Sequence, residues 1–244
     1  MQERQDTEKL QELQDAAEKA IREQESERVI SFVWNRQKYW IKRKRGNGRN
    51  QLVKYSVEKE FYYEIARRTI AKNACPDLVP DMPVLTLDYM VIEDGGMTVK
   101  SWLDQDIPEE EKREILRRAG TALCRLHRAG IVHGWPALRD ITCRDGRISF
   151  LDWENRLYSR NPEEQKAIDF LLFLQAIYRE NYPEEKERIE AAESGYVDAG
   201  GREVRENAGA YLEKHRIIEK LVHGVSVFHW KDVEPVRKLY DHLL

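Results

Sequence analysis

Cysteine is scarce in this chain of 244 residues. Cys75, Cys124 and Cys143 form no CxxC pair, and their number is odd. That argues against a disulfide framework or a cysteine zinc site and points to a reducing compartment. Cys124, in an apolar helical stripe, is expected in the core. Long apolar runs are lacking too. The most apolar stretch, "FLLFLQAIY" at 170–178, falls well short of the roughly 20 residues that a membrane-spanning helix needs. The opening "MQERQDTEKL" has no apolar core of the signal-peptide kind. The expected location is therefore the cytoplasm, with a peripheral contact to the inner membrane left open. An excess of charge is absent as well: the formal net charge is −3, so no nucleic-acid partner is expected. Local basic clusters such as Lys42–Arg45 are possible contacts, but that cluster reads first as a solvated strand end.

Residues 1–27 contain neither glycine nor proline. Leu10, Leu13, Ala17, Ala20 and Ile21 recur there at spacings of 3 and 4, which predicts an amphipathic helix. Its narrow stripe suits packing on the body of the protein or pairing with a partner helix.

From residue 28 the period changes to that of strands. "RVISFVW" (28–34) and "KYWIKRK" (38–44) are rich in β-branched and aromatic residues, and "NRQ" between them predicts a hairpin. "GNGRNQ" (46–51) reads as a flexible loop. Residues 55–72 read as a helix with Phe61, Ile65 and Ile70 inward. The proline-rich "CPDLVPDMP" connects it to two more strands, "VLTLD" and "YMVIED", which "DGG" (94–96) ends. A short helix is predicted at 98–105 and a longer one from Pro108 to 128, with three glutamates in its first turn. "DITC" and "RISFLDW" flank Asp145-Gly146, a strong hairpin signal. A helix then starts at Asn161-Pro162, and 183–244 reads as mostly helical, interrupted around Gly195–Gly201 and Gly224. The expected fold class is α+β in three parts: an N-terminal amphipathic helix at 1–27, a small antiparallel sheet with one helix at 28–95, and a helical lobe with one hairpin at 96–244.

Five short motifs occur in order: Lys42 in "YWIKRK", the strand-to-turn segment "YMVIEDGG", "HGWPALRDI", "FLDWEN", and Asp169 inside "AIDFLLFLQ". Together they resemble the two-lobed protein-kinase-like fold. The nearest flavour is the small bacterial lipopolysaccharide core kinases, which act on Kdo or heptose sugars, with RIO-type and tRNA-modification-associated kinases as the alternative. The resemblance covers residues 28–180.

By this resemblance Lys42 holds nucleotide phosphates and pairs with a helix glutamate, Glu60 as first choice and Glu64 as the other. Ile92, Glu93 and Asp94 line the crossing that offers backbone groups to adenine. His133 and Gly134 open the catalytic loop, His133 as its brace, and Arg139 assists in neutralising phosphate. Asp140 and Asp152 are the Mg²⁺ ligands and, with His133 and Arg139, the candidate catalytic set. Glu154 offers a third carboxylate, and Asp169 braces the loop near His133. ATP and Mg²⁺ are the implied cofactors, and a core sugar or a protein hydroxyl is the implied acceptor.

Two departures stand out. Trp135 occupies the place of the catalytic carboxylate, and no glycine-rich turn precedes Lys42. They keep a second expectation open, a kinase-shaped binding or scaffold module without turnover.

Overall fold

The computed structural model describes residues 2–44, 51–155, 157–215 and 233–244. Residues 46–50 of the expected loop at 46–51, Arg45 of the basic cluster and the break at Gly224 lie outside them, and Gln51, expected in the loop, begins a helix.

Helix α1 (Gln2–Glu23) leads into strands β1 (Val29–Trp34) and β2 (Gln37–Arg43), followed by α2 (Gln51–Ala74). The β1–β2 turn is Asn35-Arg36, with φ of 48° and 63°. Two successive left-handed residues are what a tight hairpin needs to match the twist of its strands. Asparagine accepts this readily. Arginine does so at some cost, since its Cβ crowds the backbone there. β3 (Val84–Leu85) and β4 (Tyr89–Glu93) complete an antiparallel sheet of order β1-β2-β4-β3.

Period-two alternation divides this sheet between two helices. Tyr39 and Ile41 of β2 and Tyr89 and Val91 of β4 pack with Leu13, Ala17 and Ala20 of α1. Met90 and Ile92 of β4 pack with Phe61 of α2 on the opposite face. The apolar stripe of α1 is thus buried against its own sheet. Leu10 alone of the expected stripe is exposed, so that stripe is not held in reserve for a partner helix. In α2, Ile70 turns out to be 58% exposed and Ala71 takes the buried position, because the inward face includes Glu64 and Arg68 rather than only apolar residues.

β5 (Met97–Thr98), β6 (Ile141–Arg144) and β7 (Arg147–Phe150) form a second, three-stranded sheet. Its hairpin turns at Asp145-Gly146, again with both φ positive. Helices α3 (Val99–Leu103), α4 (Glu109–Arg128), α5 (Pro162–Arg179), α6 (Glu185–Tyr196), α7 (Arg202–Lys214) and α8 (Val233–Leu243) make up most of the rest. The side chain of Asn161 caps α5 by accepting from the N–H groups of Glu163 and Glu164. Between α6 and α7 the helix kinks at Gly200, where φ is 103°, so the expected interruption is a bend rather than a loop. α4 and α6 touch backbone to backbone: a Cβ on Gly120 would lie 2.0 Å from the Ala192 carbonyl oxygen. All three cysteines are buried and free. Among the described residues no helix is long and apolar enough to cross a membrane.

Candidate functional site

Lys42 and Trp40 share the face of β2 that looks away from α1. Lys42 is only 11% exposed, not a solvated strand end. Its Nζ donates to Glu64 Oε1 at 2.8 Å and to Asp152 Oδ1 at 2.5 Å, and lies 3.2 Å from Glu154 Oε2. The helix partner is therefore Glu64, not Glu60. The two glutamates are one turn apart on α2, and only Glu64 lies on the buried face, while Glu60 is exposed. Burial works against the Lys42 ammonium, but Glu64 and Asp152 outweigh it and raise its pKa. Glu64 is held above the usual carboxylate range by burial, with Lys42 pulling the other way.

Asp152 and Glu154 follow the end of β7. Asp152 adopts φ 57°, a left-handed conformation that costs a non-glycine residue on the order of 1 kcal/mol. Glu154 accepts from Arg28 at 2.8 Å, which ties the start of β1 to this loop. Burial raises the pKa of Glu154, but Lys42 and Arg28 together bring it below the ordinary value. Oxygens of Glu64, Asp152 and Glu154 all lie within 4.8 Å of one another, close enough to share one cation.

Asp140 reaches the same place by backbone ties. Its N–H donates to the Ala137 carbonyl, and its carbonyl accepts from the Leu151 N–H at 2.7 Å. It stands outside the three-carboxylate group but lines the same cavity of about 340 Å³, along with Trp40, Lys42, Arg68, Ile92 and Asp152. Burial, and then the nearby Asp152 charge, push its pKa up to about 7. A carboxyl held that high marks a dry site that already carries negative charge. The donor set is hard oxygen, which suits Mg²⁺. Among the described residues the carboxylates close enough to share such an ion are Asp152, Glu154 and Glu64, and Asp140 lines the cavity beside them.

The loop that carries Asp140 is braced from beneath. Asp169, fully buried on α5, accepts from the backbone N–H groups of His133 and Gly134, each at 2.7 Å. His127 Nε2 lies 3.0 Å from the same carboxylate, and His127 Nδ1 is bonded to Tyr196 Oη. Burial alone would raise the Asp169 pKa, but these partners bring it below the usual value. His133 is wholly buried beside the ring of Trp153, with centroids 4.9 Å apart, and its Nε2 donates to the Leu151 carbonyl at 2.6 Å. Burial lowers its pKa. Enclosed in this way and bonded to a backbone carbonyl, His133 has the setting of the brace that the resemblance implies, and it does not line the cavity.

Other expected residues lie elsewhere. Arg139 is 74% exposed, and its Nε is 3.8 Å from Asp140 Oδ2. The N–H groups of Glu93 and Asp94 donate to the carbonyls of Asp81 and Lys38, so neither is available to a base. The Asp94 carboxylate accepts from the Trp40 indole, the Gly96 N–H and the Arg144 guanidinium. Ile92 does line the cavity. Trp135 does not; it lines a separate cavity of about 300 Å³ with Lys100, Leu138, Arg139, Leu172 and Arg179.

Arg67 was not legible as a functional residue. One turn beyond Glu64 on α2, it donates to the carbonyls of Val132, His133, Trp153 and Asn155 and so joins the helix to both loops. Arg68 is 2% exposed, donates to the Pro80 carbonyl at 2.6 Å and has its pKa lowered to about 10 by burial. The i+3 and i+4 spacing from Glu64 was the available signal, but it needed the right glutamate first.

No family model matches the chain. An uncharacterized protein of Haemophilus influenzae is 34% identical over 170 residues, 68% of this chain and 69% of that protein. The KEOPS complex subunit Bud32 of Pyrococcus abyssi is 30% identical over 146 residues, 56% of this chain and 64% of the relative. A probable serine/threonine-protein kinase BUD32 homolog of Archaeoglobus fulgidus is 23% identical over 133 residues, 54% of this chain and 68% of the relative. The α+β architecture, a small antiparallel sheet followed by a helical region, agrees with the kinase-like fold. The chain belongs to one family with the Haemophilus influenzae protein, within the protein-kinase-like superfamily and at a distance from Bud32.

Proposed function

We propose that the protein is an ATP- and Mg²⁺-dependent phosphotransferase acting on a hydroxyl of a protein substrate. The observation that carries this reading is the convergence of Lys42, Glu64, Asp140 and Asp152 on one cavity. Lys42, oriented by Glu64, holds the nucleotide phosphates. Asp140 and Asp152 hold the ion, which when bound offsets phosphate charge and relieves the repulsion between the two carboxylates. Asp169 and Arg67 hold the loops that carry those aspartates, so that positioning, the main catalytic means in phosphoryl transfer, is built into the scaffold. The serine/threonine activity named for the Archaeoglobus relative supports a protein acceptor. The lipopolysaccharide sugar suggested by the motifs finds no such support.

Trp135 has no atom to accept the acceptor's proton and faces another cavity. Loss of a general base costs roughly 10²- to 10⁴-fold, so slow turnover is expected rather than none. The same observation favours a second reading, a binding module that retains nucleotide without transfer. The test is to incubate the full chain with γ-labelled ATP and Mg²⁺, alone for autophosphorylation, with a serine/threonine peptide mixture and with deacylated lipopolysaccharide. Label on protein or peptide above an Asp152→Ala control supports the proposal. Label on the sugar alone moves the acceptor back to the core saccharide. Absence of transfer, with nucleotide still bound, supports the binding module.

A further inference from the structure

Trp40 is two residues from Lys42 on the same strand, so alternation places both on one face of the sheet. Its side chain lines the same cavity as Lys42, Asp152 and Ile92, and it is Ile92's register partner in the sheet. Two contacts fix the indole. Its Nε1 donates to Asp94 Oδ1 at 2.7 Å. Asp94 is in turn held by the Gly96 N–H and by Arg144 of the second sheet. The Lys38 ammonium lies 4.3 Å from the centre of the ring, a cation–π distance. A large flat side chain is thus anchored in the wall of the cavity. Beside it, the N–H groups of Glu93 and Asp94 are already taken by Asp81 and Lys38.

We propose that Trp40 is a nucleotide-contacting residue whose indole stacks on the base, and that the site distinguishes adenine from guanine only weakly. The proposal rests on the cavity's being a nucleotide site. Selecting one base requires hydrogen-bonding groups aimed at its edge. The N–H groups of Glu93 and Asp94 are spent within the chain, whereas an aromatic face serves any base, because every base has a π-face.

The experiment is calorimetric titration of the full chain with Mg-ATP and with Mg-GTP, for wild type, Trp40→Phe and Trp40→Ala, with thermal unfolding of each variant as a folding control. The expected result is that the two nucleotides bind wild type within about threefold of each other. Trp40→Ala weakens both by about tenfold or more, the scale of one base–aromatic stack, and Trp40→Phe retains most of the affinity. A preference of more than about tenfold for ATP overturns the weak-selectivity half of the proposal. A folded Trp40→Ala that binds as well as wild type, or better, overturns the stacking half, as does a folded Trp40→Phe that loses as much as Trp40→Ala. In those cases the nucleotide-site reading stands. Wild type binding neither nucleotide overturns that reading and this inference together.

Discussion

Asp169 and Asp152 serve the same 132–155 segment from opposite surroundings. Around Asp169 every carboxylate oxygen has a donor, the surroundings are dry, and the group is held ionised. Around Asp152 carboxylates crowd together. Glu64, Asp140, Asp152 and Glu154 share one cavity with Arg28, Lys42 and Arg68, and burial, with the Asp152 charge next, pushes the Asp140 pKa up to about 7. The first cluster is satisfied by the protein itself. The second is left with a charge imbalance that an incoming cation would correct. Saturation makes the first a structural support, whereas imbalance is what makes the second receptive to a ligand.

The largest expected effect tests the support. Asp169→Ala leaves two buried N–H groups and His127 without their acceptor. It should destabilise the fold by roughly 3–5 kcal/mol, the scale of breaking a buried charged network. For a chain of this size that lowers the thermal midpoint by about 10 °C. A change under about 1 kcal/mol, within the range of unexceptional substitutions, would remove Asp169 from the role of brace.

A smaller effect, and one that depends on pH, tests the imbalance. The pKa of Asp140 is raised on folding, so between about pH 4 and 7 the folded state holds a proton that the unfolded state has released. Stability therefore falls as pH rises through that window, and the penalty is absent below it. With divalent ions chelated, Asp140→Asn should exceed wild type in stability by on the order of 2 kcal/mol at pH 8, and the gap should close toward pH 4. Urea unfolding across that range measures it. A gap that does not change with pH would mean that the Asp140 carboxyl does not carry the strain of the cluster.

The smallest effect marks the border of the site. Arg139 adjoins Asp140 in the chain yet is 74% exposed, and its distance to that carboxylate is beyond hydrogen bonding. Arg139→Ala should change stability by no more than about 0.5 kcal/mol, as surface substitutions do. A larger loss in chemical unfolding would bring Arg139 into the charged cluster.

Much of this was legible along the chain. Period-two alternation in "KYWIKRK" and "YMVIED" marks the strands, and helical spacing marks α1 and α4. Asp-Gly and Asn-Pro mark the second hairpin and the start of α5. These are short-range signals, in which a residue's neighbours set its conformation. The spacing of His133, Asp140, Asp152 and Asp169 was legible for the same reason. Glu64 was left level with Glu60, because one helical turn separates two faces and only the packing of α2 on the sheet decides which is buried. Ile70 misled in the same way: it fits an apolar periodicity, yet the buried face of α2 runs through Phe61, Glu64, Arg68 and Ala71, and Ile70 lies off it.

Sequence alone determined the order of elements, the turns and the candidate aspartates, because backbone preference and side-chain periodicity act over a few residues. Tertiary structure decided which charges meet. Lys42 and Asp152 are 110 positions apart, and Arg28 and Glu154 are 126 apart. Such pairs form only when two sheets and a helix close on one cavity, and burial there, rather than residue type, sets whether a carboxyl keeps its proton.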